Sequence, residues 1–261
     1  MSLDTVLLDL DGVLYVGDTP IPGAVQAVQT LQERGYRLAG VTNTSTRSRA
    51  QVHAKLGALG FSLPRSHLFT PAALAVANIG ARKAALFIHP HLAEDFQTVT
   101  RDDADPEVVV MGDVGGQGYS GATLQQIFTQ VMGGAQLIAL HKNRYWLTEQ
   151  GLHIDLGAFV AAIEYATGRQ AVVLGKPATP FFTEVLAALN TTPERALMVG
   201  DDLEADVGGA QGAGLRGALV QTGKFRPEVL ARSPIVPSAV LSSIRDLPGW
   251  LERLSREKAP G

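Results

Sequence analysis

Two aspartates one residue apart, Asp9 and Asp11, close the run TVLLDLDG with a leucine between them. Side chains two apart on an extended chain point the same way, so both carboxylates can serve one site while Leu10 turns to the interior. Gly12 then allows a sharp bend and a close ligand approach. Alone, D-x-D-G reads better as a turn marker or a helix-capping acid. Three further polar groups, each ending an apolar run, make it more. VTNTSTRS places Thr42 and Asn43 where a hydroxyl and nearby N–H groups can donate to an oxyanion, in a stretch that otherwise reads as an N-cap segment with a helix starting near Thr44 to Thr46. VVLGKPATP sets Lys176 after a glycine. A lysine there is solvated unless it faces acids, in which case it offsets their repulsion and grips a transferring phosphoryl group. LMVGDDLEAD gathers Asp201, Asp202 and Asp206. Carboxylates crowded this closely raise one another's pKa unless a cation intervenes, and oxygen ligands without His or Cys suit a hard ion such as Mg2+. A helix dipole accounts for Glu204 and Asp202 but poorly for Asp201, which ends a strand.

The elements that must carry these groups follow from the apolar pattern. Strand-length runs recur at Thr5 to Leu10, Arg37 to Asn43, Ala84 to Pro90, Glu107 to Asp113, Ala135 to Lys142, Ala171 to Lys176, Ala196 to Asp202 and Arg216 to Gly223. Most are continuously apolar, as parallel strands covered on both faces are. Helical spacing lies between them, with start signals in TPAALAVANIG (Thr70, Pro71) and TPFFTEVLAALN (Thr179, Pro180). Alternating strand and helix predict an α/β protein with a doubly wound parallel sheet, which binds ligands outside the carboxyl ends of its strands. The chemistry-bearing residues fall early and late in the chain. The expectation is therefore a core formed by 1–79 and 176–261, with 80–175 inserted as a second domain.

Composition narrows the function. The chain has 261 residues, 46% hydrophobic and 18% charged, with a formal net charge of -3 and no cysteine. No basic run suggests nucleic acid or an anionic membrane surface, and disulfides, thiolate metal sites and cysteine nucleophiles are excluded. The N-terminus has no basic region before its apolar stretch and no segment has the length of a membrane span, so a cytoplasmic location is expected.

In chain order, DLDGVL, VTN, the lysine of GKP and GDDLEAD resemble the four motifs of the haloacid dehalogenase (HAD) superfamily of phosphotransferases. The insertion between the second and third resembles the large α/β type-IIA cap of one branch. FVAAIEYATG, VLGKPATPFF, GDDLEADVGGAQ and QTGKFRP resemble the group within that branch that hydrolyses phospholysine, phosphohistidine and inorganic pyrophosphate. The resemblance implies a Rossmann-like core with Asp9 as nucleophile, forming an aspartyl-phosphate, and Asp11 as general acid and then base. It implies Thr42, Asn43 and Lys176 on phosphoryl oxygens, and Mg2+ held by the Asp9 carboxylate, the Asp11 carbonyl and Asp201. Asp202 and Asp206 would support the metal's water shell or Lys176. Val13 stands where many members have Thr, a position with no assigned chemistry. Asp11 argues for phosphate transfer over carbon–halogen cleavage. The implied substrate is a small phosphorylated compound, either with a P–N or pyrophosphate bond or a monoester such as a sugar or nucleotide phosphate. A non-catalytic phospho-ligand or protein-binding module is the alternative of a different class. Homodimerisation through the cap is a further expectation from the same resemblance.

Two stretches of the insertion need weighing. HKNRYWLTEQG reads as a strand end followed by a polar hairpin or loop, and His141, Lys142, Arg144 and Tyr145 are its candidates for contact with a leaving group. GQGYSG, Gly116 to Gly121, satisfies G-x-G-x-x-G after a strand, but the next strand ends in His141 and Lys142 with no acid for a ribose. It is expected to be a loop beside a helix N-cap.

Overall fold

The computed structural model of the protein describes residues 3–114, 118–148 and 151–257, with backbone alone at 145–148, 151–152 and 257. The chain forms two compact units, Met1–Thr42 with His53–Phe69 and Phe182–Gly261, and Asn43–Val52 with Thr70–Phe181.

The first unit is built on six parallel strands in the order Ala239–Leu241, Arg216–Val220, Ala196–Gly200, Thr5–Asp9, Arg37–Val41, Leu68–Phe69. Thr5–Asp9 and Ala196–Gly200 are buried at every position, which is why their sequences do not alternate. Numbered along the chain, the sheet runs 6-5-4-1-2-3. Its order reverses between Thr5–Asp9 and Ala196–Gly200, and this reversal is the topological switch point where open α/β sheets bind ligands. Both acid motifs leave the carboxyl ends of those two strands.

The second unit has its own parallel sheet, Val172–Val173, Gln136–Ala139, Val108–Met111, Ala84–Phe87, in which each strand pairs with its chain neighbour. An antiparallel pair, Tyr145–Thr148 with Gly151–Ile154, follows the strand end at His141, where a hairpin or a loop was expected. Helices Gly121–Met132 and Leu156–Thr167 pack against each other. Helix starts follow the caps in the sequence: Thr70 Oγ1 accepts the Ala73 N–H (3.2 Å) ahead of Pro71, and Ser120 Oγ accepts the Thr123 N–H (3.1 Å).

One start differs. The helix expected near Thr44 to Thr46 is Arg49–Ala58. Ser48 and Gln51 form a reciprocal box, with the Gln51 N–H donating to Ser48 Oγ (3.2 Å) and the Ser48 N–H to Gln51 Oε1 (3.0 Å). This S-x-x-Q cap satisfies two orphan donors at once and outcompetes single-residue caps upstream. Ser48→Ala is expected to lower stability by about 1–2 kcal/mol, read as a shifted urea midpoint with an unchanged slope. Among the described residues, no helix is long and apolar enough to cross a membrane.

Candidate active site

In the first unit, Asp9 is the last residue of its strand and Asp201 directly follows Gly200. Asp9, Asp201 and Asp206 each offer a carboxylate oxygen within 4.8 Å of the others, and all three are buried, at 7%, 2% and 1% exposure. Asp11 is exposed. Gly12 has φ 87° and donates its N–H to the Tyr15 carbonyl (2.7 Å), turning the chain back. A Cβ there would stand 2.0 Å from Asp201 Oδ2, so the turn can approach Asp201 only as glycine. Asp202 caps the following turn by accepting the Glu204 and Ala205 N–H groups (3.1 and 2.9 Å). Asp206 Oδ2 accepts the Asp202 N–H (3.1 Å) and its carboxylate lies against the α-carbon of Gly200. That turn, Leu203–Gly208, is π-helical, a widened form that recurs at functional sites.

Burial pushes the Asp201 carboxyl up to about 7, with the charges of Asp9 and Asp206 adding to it and Lys224 opposing. Asp201 Oδ2 accepts the Lys224 N–H (2.7 Å), while Oδ1 is buried with no hydrogen-bond partner among the described residues. The orphaned acceptor belongs to a cluster of three buried carboxylates, and this all-oxygen donor set fits a hard divalent cation beside Lys224. Burial lowers the Lys224 ammonium, but Asp201, Asp9, Asp202 and Asp206 outweigh it and raise the group overall. The same segment is bound at Thr222, whose hydroxyl donates to the Gly12 carbonyl (2.5 Å). Thr222 to Lys224 are not among the site residues expected from the sequence. The signal was QTGKF at another strand end, with a glycine at φ 60° whose Cβ would meet Asp201 Oδ2 at 2.0 Å.

Thr42 belongs to this unit, nearly buried, and donates its N–H to the Phe69 carbonyl (3.1 Å). Asn43 and Lys176 belong to the second unit and are tied twice: Asn43 Nδ2 donates to the Lys176 carbonyl and the Lys176 N–H to Asn43 Oδ1, both at 2.7 Å. Lys176 is buried and precedes a cis peptide bond to Pro177. Of the hairpin residues expected to face substrate, His141 is 2% exposed and bonded inside its own unit, to Ser45 and Asp113. The Lys142 ammonium donates to buried Glu164, whose other oxygen accepts the Ala171 N–H (3.0 Å). Arg144 is exposed, and the Tyr145 side chain lies outside the described residues. The loop is stitched to the next helix, with the Gly157 N–H on the Asn143 carbonyl (2.9 Å) and the Asp155 N–H on that of Arg144 (3.1 Å). Gly116 of GQGYSG also lies outside the described residues. Among the described residues, the sheet beside that motif has no reversal of strand order, the feature at which such sheets bind a dinucleotide.

The buried acids thus stand at the switch point of a doubly wound sheet, where such folds bind ligands. The family model described as haloacid dehalogenase-like hydrolase matches residues 6–103, and the HAD-hydrolase-like model matches residues 173–247; the chain belongs to this family. It is 38% identical over 228 residues to haloacid dehalogenase-like hydrolase domain-containing protein 2 of Bos taurus, covering 86% of each chain. It is also 38% identical over 234 residues to phospholysine phosphohistidine inorganic pyrophosphate phosphatase of Danio rerio, covering 87% of this chain and 86% of that one. Among solved structures, glycerol phosphate phosphatase from Mycobacterium tuberculosis in complex with magnesium matches at TM-score 0.78 and 30% identity, over 94% of this chain and 77% of that one. The protein is a phosphatase of the haloacid dehalogenase-like family.

Proposed function

We propose that the protein is a Mg2+-dependent phosphohydrolase that works through an aspartyl-phosphate on Asp9 and takes small phosphorylated compounds, with P–N or pyrophosphate bonds as its substrates. The observation that carries this reading is the buried Asp9, Asp201 and Asp206 cluster at the switch point, with an orphaned Asp201 oxygen inside it. The Asp9 carboxylate, the Asp11 carbonyl and Asp201 would hold the ion. Bound there, it supplies positive charge against the acids and the phosphoryl group. An Asp9 oxygen attacks phosphorus, the bond to the leaving group breaks with its electron pair, and Asp11 gives the leaving atom its proton. Water then attacks the aspartyl-phosphate, loses a proton to Asp11, and releases phosphate with Asp9 restored. Exposure of Asp11 beside a buried Asp9 suits this division, because the proton carrier must reach both leaving group and water. Thr42, Asn43 and Lys176 bind phosphoryl oxygens in this scheme, while Asp202 and Asp206 brace the metal site. Segment 80–175 serves as a type-IIA cap between core segments 1–79 and 176–261, excluding water from the transfer.

The match to glycerol phosphate phosphatase favours a second reading within the same chemistry, a small phosphate monoester. Phosphate release from pyrophosphate, phospholysine, phosphohistidine, glycerol phosphate, and sugar and nucleotide phosphates, each with Mg2+ and with chelator, decides between them. The expected result is Mg2+-dependent turnover ranking P–N and pyrophosphate substrates first. A monoester ranked first would replace the substrate assignment, and no turnover of any would replace the enzyme reading with phospho-ligand binding.

A further inference from the structure

Four side chains of the second unit converge outside the carboxylate cluster. His141 Nε2 lies 3.1 Å from Ser45 Oγ, 3.2 Å from Asp113 Oδ2 and 4.0 Å from Asp155 Oδ1. The Ser45 hydroxyl donates to Asp113 Oδ2, and Asp113 and Asp155 share a hydrogen bond. Ser45, His141 and Asp155 are buried and Asp113 is half-buried. Ligands around a small cation with bonds of roughly 2.0–2.1 Å stand about as far apart as this, so a metal site and a proton-held knot both fit the spacing.

The protons decide between them. His141 Nδ1 faces the Asn143 N–H at 3.3 Å and must accept, which leaves the ring's proton on Nε2. A metal-bound histidine has the opposite arrangement, its second nitrogen donating to an acceptor. Burial and the Asp113 charge raise the Asp155 carboxyl, while His141, Ser45 and Asp155 overcome burial and hold Asp113 below the usual range. The His141 ring and the Ser45 hydroxyl therefore both donate to the Asp113 carboxylate, which also shares a hydrogen bond with Asp155. The knot is satisfied without a cation.

Its surroundings show what it holds. Ser45 lies two residues beyond Asn43, the residue bonded both ways to the Lys176 backbone. A Cβ on Gly175 would stand 2.5 Å from the Leu140 carbonyl, 3.0 Å from Asn43 Oδ1 and 3.0 Å from His141 Cβ. Segments 43–45, 140–141 and 175–176 thus meet with no spare volume. We infer that Ser45, Asp113, His141 and Asp155 form a positioning knot that fixes Asn43, and through it the Lys176 backbone, for phosphoryl transfer. The inference rests on the phosphatase mechanism proposed above.

The test uses the full chain with Mg2+, 4-nitrophenyl phosphate and pyrophosphate. His141→Ala is expected to lower kcat by about 10- to 100-fold with KM nearly unchanged, because misplacement rather than lost binding is the defect. His141→Gln, whose amide keeps a donor toward Asp113, recovers most of that loss. In a cycle with Lys176→Ala, the second substitution adds little to the first, since both act through one group. Hydrogen exchange supplies a readout independent of turnover: the Lys176 amide, bonded to Asn43 Oδ1, exchanges faster in His141→Ala. Should that variant fail to fold, Ser45→Ala replaces it in every arm. Fully additive losses, kcat within twofold of wild type, or unchanged Lys176 exchange each overturn the inference. So does a stoichiometric transition metal lost with His141. Faster exchange without turnover in any chain, wild type included, would instead sink the phosphatase reading and leave the knot standing.

Discussion

Asp9→Asn is expected to reduce Mg2+-dependent phosphate release by on the order of 10^4-fold or more, the scale on which removing a covalent nucleophile acts. The amide matches the carboxylate in shape but lacks the anionic oxygen that would form the aspartyl-phosphate. Its effect on stability should run the other way. Asp9 is the largest charge raising the Asp201 carboxyl, so neutralising it relieves repulsion in a buried cluster. The variant should therefore melt no lower than wild type in chelator, which separates lost chemistry from lost fold. Turnover remaining above about 1% in a phosphate-release assay, where a missing nucleophile leaves far less, would remove Asp9 from the nucleophile's place.

The second large effect is a pH-dependent stability gated by Asp201. Its folded-state carboxyl titrates at about 7 against a reference of 3.8. Between those values the folded chain holds a proton that the unfolded chain has released, so stability falls as pH rises through the window and levels off above it. The slope contributed by this group reaches at most about 1.4 kcal/mol per pH unit. Asp155, also raised, acts with the same sign, so the comparison that isolates Asp201 is with Asp201→Asn. Thermal unfolding in chelator should show wild type weakening from pH 5 to 7 more than Asp201→Asn does. Mg2+ competes with the proton, so it should stabilise wild type more at pH 8 than at pH 5 and stabilise Asp201→Asn little at either. A metal-free chain that gains stability between pH 5 and 7 through Asp201, or a variant with an intact Mg2+ response, would refute the assignment.

All eight strands expected from apolar runs are present, because a strand covered on both faces must be apolar throughout. Leu68–Phe69 and Ala239–Leu241 were not legible: at two and three residues on the sheet's edges, their pairing is decided by neighbours rather than by local pattern. The 6-5-4-1-2-3 order was likewise invisible until partners were known. Asp9, Asp201 and Asp206 could be read as a group because each belongs to a motif at a strand end. Ser45, Asp113, His141 and Asp155 could not, since they belong to no recognised motif whose members are expected to share a site. Lys142 shows the limit for long side chains: polarity suggested a substrate contact, while its reach took it to Glu164. The helix start at Arg49 was legible in principle, as S-x-x-Q, but the earlier Thr and Ser residues offered the same single-residue signal.

The central strand Thr5–Asp9 has one partner close behind it, Arg37–Val41, and the other, Ala196–Gly200, far downstream. On a ribosome adding about 5–20 residues per second, roughly 190 residues must follow Asp9 before Gly200 is made, some 10–40 s. Through that interval a strand made to be buried at every position presents an unpaired edge, the kind of surface that recruits other nascent chains or a chaperone. The second unit's strands pair only with chain neighbours, so its sheet can close during the wait. Asp201 and Asp206 arrive after both, and a chain stalled before them carries Asp9 without the acids that complete the carboxylate cluster.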